Sequence, residues 1–144
     1  MRNVLIAGGA GYVGTLLTPQ LLAAGYNVTV YDIMYYGCEL KPQPRLKIIK
    51  GDIRDTAKFR EACWGVDAVI QLACISNDAG FELDEKLSES INYEAFEPMV
   101  IAAREQEVNG YIANIDRAVE LIGFDQNQSL ADHLPEVVNY WMRK

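Results

Sequence analysis

Apolar residues come in short runs, broken by glycine, proline and polar clusters. The run Val4-Leu5-Ile6-Ala7 predicts a strand over residues 3–7. An amphipathic segment, Leu16 to Ala24, follows at once and predicts a helix over residues 12–24, closed by Gly25. A second apolar run, Asn27-Val28-Thr29-Val30-Tyr31, predicts a second strand. Residues 33–44 hold Gly37, Pro42 and Pro44 and read as a loop. A third strand is expected over residues 46–50, a turn over 51–55 and a short helix over 56–63. The fourth strand, residues 68–72, is nearly all apolar, as a parallel strand covered on both faces should be.

A polar loop, residues 76–85, comes next, and then a helix from about residue 87 to 106. Leu87, Ile91, Ala95, Met99 and Ala102 recur on one stripe of it. Pro98 lies inside it and should kink it, because proline supplies no N–H and crowds the preceding turn. The last third reads differently. Asn109-Gly110 signals a turn, and residues 115–122 a short helix closed by Gly123. Ser129, with Asp132 completing a capping box, starts a final helix over residues 130–142. The alternation of strands and helices argues for an α/β protein with a doubly wound parallel sheet and right-handed crossovers.

At 144 residues the chain suits one domain, and with half its residues hydrophobic it can bury a core. The net charge is −7 and no basic cluster with interleaved aromatics occurs, so nucleic acid is a poor match. No apolar run approaches the roughly 20 residues needed to span a bilayer. Met1-Arg2-Asn3 enters a strand directly, so no signal peptide is expected. Cys38, Cys63 and Cys74 are odd in number and lack metal spacing. They read as reduced thiols of a cytoplasmic protein. His133 is the only histidine, so no zinc site is expected.

The chemistry concentrates in Gly8-Gly9-Ala10-Gly11-Tyr12-Val13-Gly14, where four glycines fall in seven positions between the first strand and the first helix. One glycine turns the chain off the strand, one removes a Cβ so that backbone can approach a pyrophosphate, and Gly14 allows close helix packing. The helix N-terminus then faces the phosphates. Asp32 stands at the tip of the second strand, placed to accept both ribose hydroxyls of an adenosine. A carboxylate there repels a 2′-phosphate, so NAD is favoured over NADP.

These residues carry a resemblance. With Gly51-Asp52-Ile53-Arg54-Asp55, Gln71-Leu72-Ala73-Cys74 and the helix bearing Asn92, residues 1 to about 107 resemble the N-terminal part of an extended short-chain dehydrogenase/reductase. Within that group they resemble the NAD-dependent nucleotide-sugar epimerases and dehydratases. The resemblance implies a Rossmann-like NAD-binding domain over residues 1–108, with a helical segment, 109–144, packed on it. It implies that Gly8, Gly11, Gly14 and the backbone at Tyr12 and Val13 meet the pyrophosphate, that Asp32 meets the adenosine ribose, and that Ile33 also belongs to the cofactor site. Asp52 would accept from the adenine amino group and the Ile53 backbone would read the ring edge. Leu72 and Ala73 would border the cofactor ribose, and Asn92 would help to order the active site. Each has a plainer alternative: Asp52 suits a cap for the helix at Thr56, and Asn92 suits a solvated helix face. Ser76, Asn77 and Asp78 fall where the family's substrate-side loop begins, or form an ordinary Asx turn. Ala7 and Gln71 stand where the family often has Thr and His.

One departure is large. In the family, this helix leads to a strand with a catalytic Ser/Thr, a Tyr-x-x-x-Lys helix and a sugar-nucleotide lobe. Here residues 112–141 resemble the family's extreme C-terminus instead, so the chain reads as truncated, two ends of a longer enzyme joined near residues 108–110. The sequence holds one Tyr-x-x-x-Lys match, Tyr140 to Lys144, at the terminus, where an amphipathic docking helix is the better reading. No catalytic residue is therefore assigned. Two functions stay open: an enzyme of nucleotide-sugar hydride transfer that is inactive as written, or a non-catalytic dinucleotide-binding sensor or assembly module. The resemblance also implies a homo-oligomer.

Overall fold

Four of the apolar runs become one parallel sheet. The computed structural model describes residues 2–75 and 85–108. In it β1 (Asn3–Ala7), β2 (Asn27–Asp32), β3 (Leu46–Lys50) and β4 (Ala68–Gln71) lie in the order β3-β2-β1-β4. Val4 sits opposite both Val28 and Ala68, and Val28 opposite Leu46. The chain lays β2 and β3 to one side of β1 and then returns to place β4 on the other. The edge of the sheet beside β1 is thus a topological switch point.

The alternation within β1 shows why its run is apolar throughout. Leu5 and Ala7 face a core with Tyr31, Phe59, Val69, Met99 and Ala102. Val4 and Ile6 face a second core with Leu17, Leu21, Leu22, Val28 and Val30. Helix α1 (Tyr12–Ala23) covers the second face. Helices α2 (Thr56–Ala62) and α4 (Phe96–Glu105) cover the first. With both faces buried, β1 shows no polar alternation after Asn3. The expected doubly wound sheet is therefore present.

The expected single helix over residues 87–106 is instead three pieces: α3 (Glu85–Glu89), a π-helical turn (Ser90–Glu94) and α4. Pro98 falls third in α4, where an N–H would have no acceptor within the helix. The irregularity lies before it, at the wider turn, rather than as a kink around it. Ala95, Met99 and Ala102 are buried as the stripe requires, but Leu87 is 38% exposed. One residue more in the π turn rotates everything before it by roughly 100°, which carries Leu87 off the buried face. Pro19 sits inside α1 without ending it. It is exposed, so water can serve the carbonyl it leaves without a donor.

Among the described residues no helix is long and apolar enough to cross a membrane. The expectations for Ser76, Asn77 and Asp78, for the turn at Asn109-Gly110 and for the helices over 115–122 and 130–142 lie outside the described residues. So do His133 and the Tyr140/Lys144 pair.

Candidate functional site

The glycine turn is a piece of close packing. Gly8 has φ +80°, a left-handed conformation that glycine adopts freely, and a Cβ there would stand 2.4 Å from the Ala73 backbone nitrogen. A Cβ on Gly14 would stand 2.3 Å from the Gly9 carbonyl oxygen. Gly14 therefore lets α1 begin against the turn itself, while Gly9 packs on Val30 of β2. A Cβ on Gly11 meets only the Gly8 oxygen, at 3.3 Å, so the space in front of Gly11 is open. Gly11 is the N-cap of α1 and has no side chain to cap it. The first-turn N–H groups of Tyr12, Val13 and Gly14 have no acceptor within the helix. No acidic residue stands in that turn. Such an end favours an anion.

Asp32 closes the turn from the next strand. Its Oδ2 accepts the Ala10 N–H at 3.0 Å and its Oδ1 accepts the Met34 N–H at 2.6 Å. Each oxygen keeps a further acceptor position. Ile33 follows as an exposed loop residue.

The turn after β3 rests on Tyr31, which the sequence pattern marks only as a strand residue. Its ring is fully buried, edge-on to Phe59 with 5.3 Å between centroids. Its hydroxyl donates to the Asp52 carbonyl at 2.9 Å. A Cβ on Gly51 would stand 2.3 Å from that ring, so only glycine fits there. Burial pushes the Tyr31 hydroxyl up to about 12, with Asp55 and Asp52 adding to it. Asp52 does not cap α2; Asp55 does, accepting the Lys58 N–H at 3.1 Å. The Asp52 carboxylate instead binds Arg54, accepting its N–H and its Nε–H, each at 2.9 Å. That hydrogen-bonded guanidinium holds Asp52 below the usual carboxylate range. The Ile53 side chain is buried in the core.

Beyond β4, Leu72 donates its N–H to the Ala7 carbonyl at 2.8 Å and packs beside α1. The Gln71 side chain closes on Ala73, accepting its N–H at 3.2 Å and donating to its carbonyl at 3.1 Å. Asn92 is exposed on the π-helical turn, and its amide is bonded to backbone. It donates to the Ile75 carbonyl at 2.8 Å and accepts the Ile75 N–H at 2.8 Å.

Every residue expected at a site thus lies at or past the C-terminal end of a strand, or, for Asn92, is tied to such a segment. An α/β sheet binds its ligands along this edge, at the switch point. Tyr31, Gly51, Arg54 and Gln71 belong to the same edge, and no role at a site is legible for them in the sequence. The hollow lined by Asn3, Asn27, Thr29, Lys47, Trp64 and Val66 lies at the other end of the strands, away from this chemistry. Cys63 is buried, which pushes its thiol up to about 11; Cys38 is half-buried and Cys74 exposed.

The comparisons with known proteins agree with this geometry. A family model described as the NAD dependent epimerase/dehydratase family matches residues 4–115. A UDP-glucose 4-epimerase of Lactobacillus helveticus is 36% identical over 76 residues, 51% of this chain and 23% of that protein. A 3-beta-hydroxysteroid dehydrogenase of Mycolicibacterium neoaurum is 29% identical over 129 residues, 87% of this chain and 35% of that protein. The solved UDP-glucose 4-epimerase of Thermus thermophilus, a complex with NAD, superposes with a TM-score of 0.68 at 25% identity. That match covers 74% of this chain and 35% of that one. The chain spans 35% or less of the length of the curated relatives it matches. Fold, motifs and the match over most of the chain agree: it belongs to the NAD-dependent epimerase/dehydratase family.

Proposed function

We propose that this chain binds NAD along the C-terminal edge of its sheet, as the dinucleotide-binding part of a nucleotide-sugar epimerase/dehydratase. The observation that carries the reading is the Asp32 carboxylate bonded to Ala10 of the glycine turn, beside an α1 N-terminus with no side-chain cap. Gly8, Gly11, Tyr12, Val13 and Gly14 would hold the pyrophosphate, since backbone N–H groups and a missing Cβ are what that group needs. Asp32, with Ile33 beside it, would take the adenosine ribose and repel a 2′-phosphate. Asp52 and the Ile53 backbone would meet the adenine. Leu72 and Ala73 would border the ribose on the nicotinamide side, with Asn92 holding the loop after β4 in place. When bound, NAD supplies a hydride acceptor at its nicotinamide.

The chain as written does not carry out hydride transfer on its own. The family's base is a Tyr with its pKa lowered by a Lys, beside a Ser/Thr hydroxyl. The one Tyr-x-x-x-Lys in this sequence closes the chain. Without that unit, both proton transfer and substrate orientation are lost. A role as a dinucleotide-binding sensor or assembly module is the second reading, favoured by a binding edge that needs none of those groups. We place the protein in the cytoplasm as a homo-oligomer. Ile101 and Tyr93, exposed on the segment after β4, supply apolar surface for that contact.

Calorimetric titration with NAD and NADP tests the binding. NAD should bind more tightly, and equal affinity or tighter NADP would refute the assignment. Incubation with NAD and a panel of UDP- and dTDP-sugars tests the second claim. A 3β-hydroxysteroid belongs in the panel because steroid dehydrogenases are among the relatives. Product formation would overturn the reading of an inactive chain.

A further inference from the structure

One residue occupies nearly all of the Asp52 carboxylate. Oδ1 accepts the Arg54 backbone N–H and Nε–H, and Oδ2 accepts from Nη2, with Nε shared to Oδ2 at 3.1 Å. A carboxylate offers about two acceptor positions on each oxygen. With the shared Nε–H counted once, on its shorter bond to Oδ1, three N–H groups fill three of the four positions, and one remains, on Oδ2. The same guanidinium reaches further. Its Nη1 donates to the Ser90 hydroxyl at 3.3 Å, and that hydroxyl donates to the Leu87 carbonyl at 2.8 Å. Ser90 opens the π-helical turn that carries Asn92, whose amide clamps Ile75. Arg54 thus joins the turn after β3 to the segment that holds the loop after β4.

We propose that Arg54 is a positioning residue that fixes the Asp52 carboxylate with a single free acceptor, selecting a purine amino group over a purine carbonyl, and that braces the Asn92 clamp through Ser90. The inference rests on the NAD reading above. A ring amino N–H fits one remaining acceptor. A ring carbonyl would set its own lone pairs against a fixed carboxylate. A site built around one polar group rejects the analogue lacking it more strongly than an apolar site can. The fork requires arginine: lysine brings a point charge and cannot fill both oxygens together.

The test titrates the full chain with NAD and with nicotinamide hypoxanthine dinucleotide, which carries a carbonyl in place of the adenine amino group. Wild type, Arg54→Gln, Arg54→Lys and Ser90→Ala are compared, each checked for folding by circular dichroism. Wild type should prefer NAD by roughly tenfold or more. In Arg54→Gln and Arg54→Lys the preference should fall toward unity. If Arg54→Gln does not fold, Arg54→Lys, which keeps charge and stem, decides. Amide exchange at Ile75 should quicken in Arg54→Gln and in Ser90→Ala, a change that lost adenine contact alone does not produce. An unchanged preference in folded Arg54 variants that still bind NAD would overturn the inference, as would unchanged Ile75 exchange in Ser90→Ala. A wild type that binds neither dinucleotide would instead sink the NAD reading, and this inference with it.

Discussion

The Asn92 side chain meets the Ile75 backbone at both of its polar groups, donating to the carbonyl and accepting the N–H at 2.8 Å each. The pair spans 17 residues of sequence and joins the π-helical turn to the segment just beyond β4. Only an amide offers donor and acceptor side by side. Asn92→Asp keeps the acceptor and sets a carboxylate oxygen against the Ile75 carbonyl. Asn92→Ala loses both bonds. Exchange of the Ile75 amide should quicken in both variants, and urea unfolding should show a loss of about 1–2 kcal/mol for Asn92→Ala. An unchanged Ile75 exchange rate would mean that the clamp does not hold the loop.

Gly14 and Gly11 should respond to alanine in opposite ways. At Gly14 the new Cβ would stand 2.3 Å from the Gly9 carbonyl oxygen, and backbone cannot easily give way. The cost should reach about 3 kcal/mol, the upper end for overpacking. At Gly11 the Cβ would stand 3.3 Å from the Gly8 oxygen and otherwise enter open space, where a phosphate would lie. Gly11→Ala should therefore keep most of its stability and lose NAD affinity. Thermal unfolding and calorimetry on the two variants separate the effects. Equal stability losses would contradict this packing.

The parts legible in the sequence are those fixed by near neighbours. The strands follow from apolar runs, and the glycine turn from Gly8, Gly11 and Gly14 between a strand and a helix. The parts that were not legible depend on partners distant in sequence or on turn geometry. Asn92 could not declare Ile75, because nothing in a helical pattern names a loop residue 17 positions back. Asp52 and Asp55 are alike as carboxylates of the same turn. Which of them caps α2 depends on the backbone angles there, and Asp55 does. Pro98 signals an irregularity, but the break comes ahead of it because a proline in a first helical turn gives up no hydrogen bond. Gly51 reads as part of a turn, and its reason is the Tyr31 ring packed against it, 20 positions away in the chain.

Alkaline pH should weaken the fold through Tyr31 and Cys63. Burial raises both above their ordinary values, 10.0 to about 12 for the phenol and 9.0 to about 11 for the thiol. A raised folded value means that the native state holds its proton where the unfolded state has lost it. The stabilisation is complete below the unfolded values and is lost as pH rises through the folded ones. Urea midpoints should therefore decline between about pH 9 and 12. Tyr31→Phe should remove the tyrosine's share of that decline, between about pH 10 and 12, and leave that of Cys63, at a cost near 1 kcal/mol for the lost bond to the Asp52 carbonyl. A pH profile identical in Tyr31→Phe and wild type would show that Tyr31 does not titrate with unfolding.

Acid should act through Asp52 and Asp67 in the opposite sense. Arg54 lowers Asp52, and the Asn3 and Arg2 N–H groups lower Asp67, both from the ordinary 3.8. Stability from a lowered carboxylate is present above its unfolded value and is lost as pH falls through the folded one. The loss should therefore begin near pH 3.8 and deepen below it. Asp67→Asn should flatten the acid limb of the urea-midpoint profile, since the start of β1 then no longer depends on a charge. A limb just as steep in that variant would assign the acid sensitivity to other groups.

Asp32 uses the same two oxygens for the fold and for the proposed ligand. Oδ2 holds the Ala10 N–H of the glycine turn and Oδ1 holds the Met34 N–H of the following loop. Asp32→Asn preserves the shape but offers one acceptor oxygen in place of two. Whichever backbone N–H faces the new NH₂ loses its partner, at a cost of about 1–3 kcal/mol. The charge proposed to repel a 2′-phosphate disappears in the same step. Two measurements should then move together: the urea midpoint should fall, and the preference for NAD over NADP should narrow. Asp32→Glu separates the two causes. It keeps the charge and moves the oxygens outward, so it should disturb the fold while retaining more of the cofactor preference. If Asp32→Asn unfolds earlier yet still discriminates NADP as the wild type does, the carboxylate is a brace for the glycine turn and another group reads the ribose.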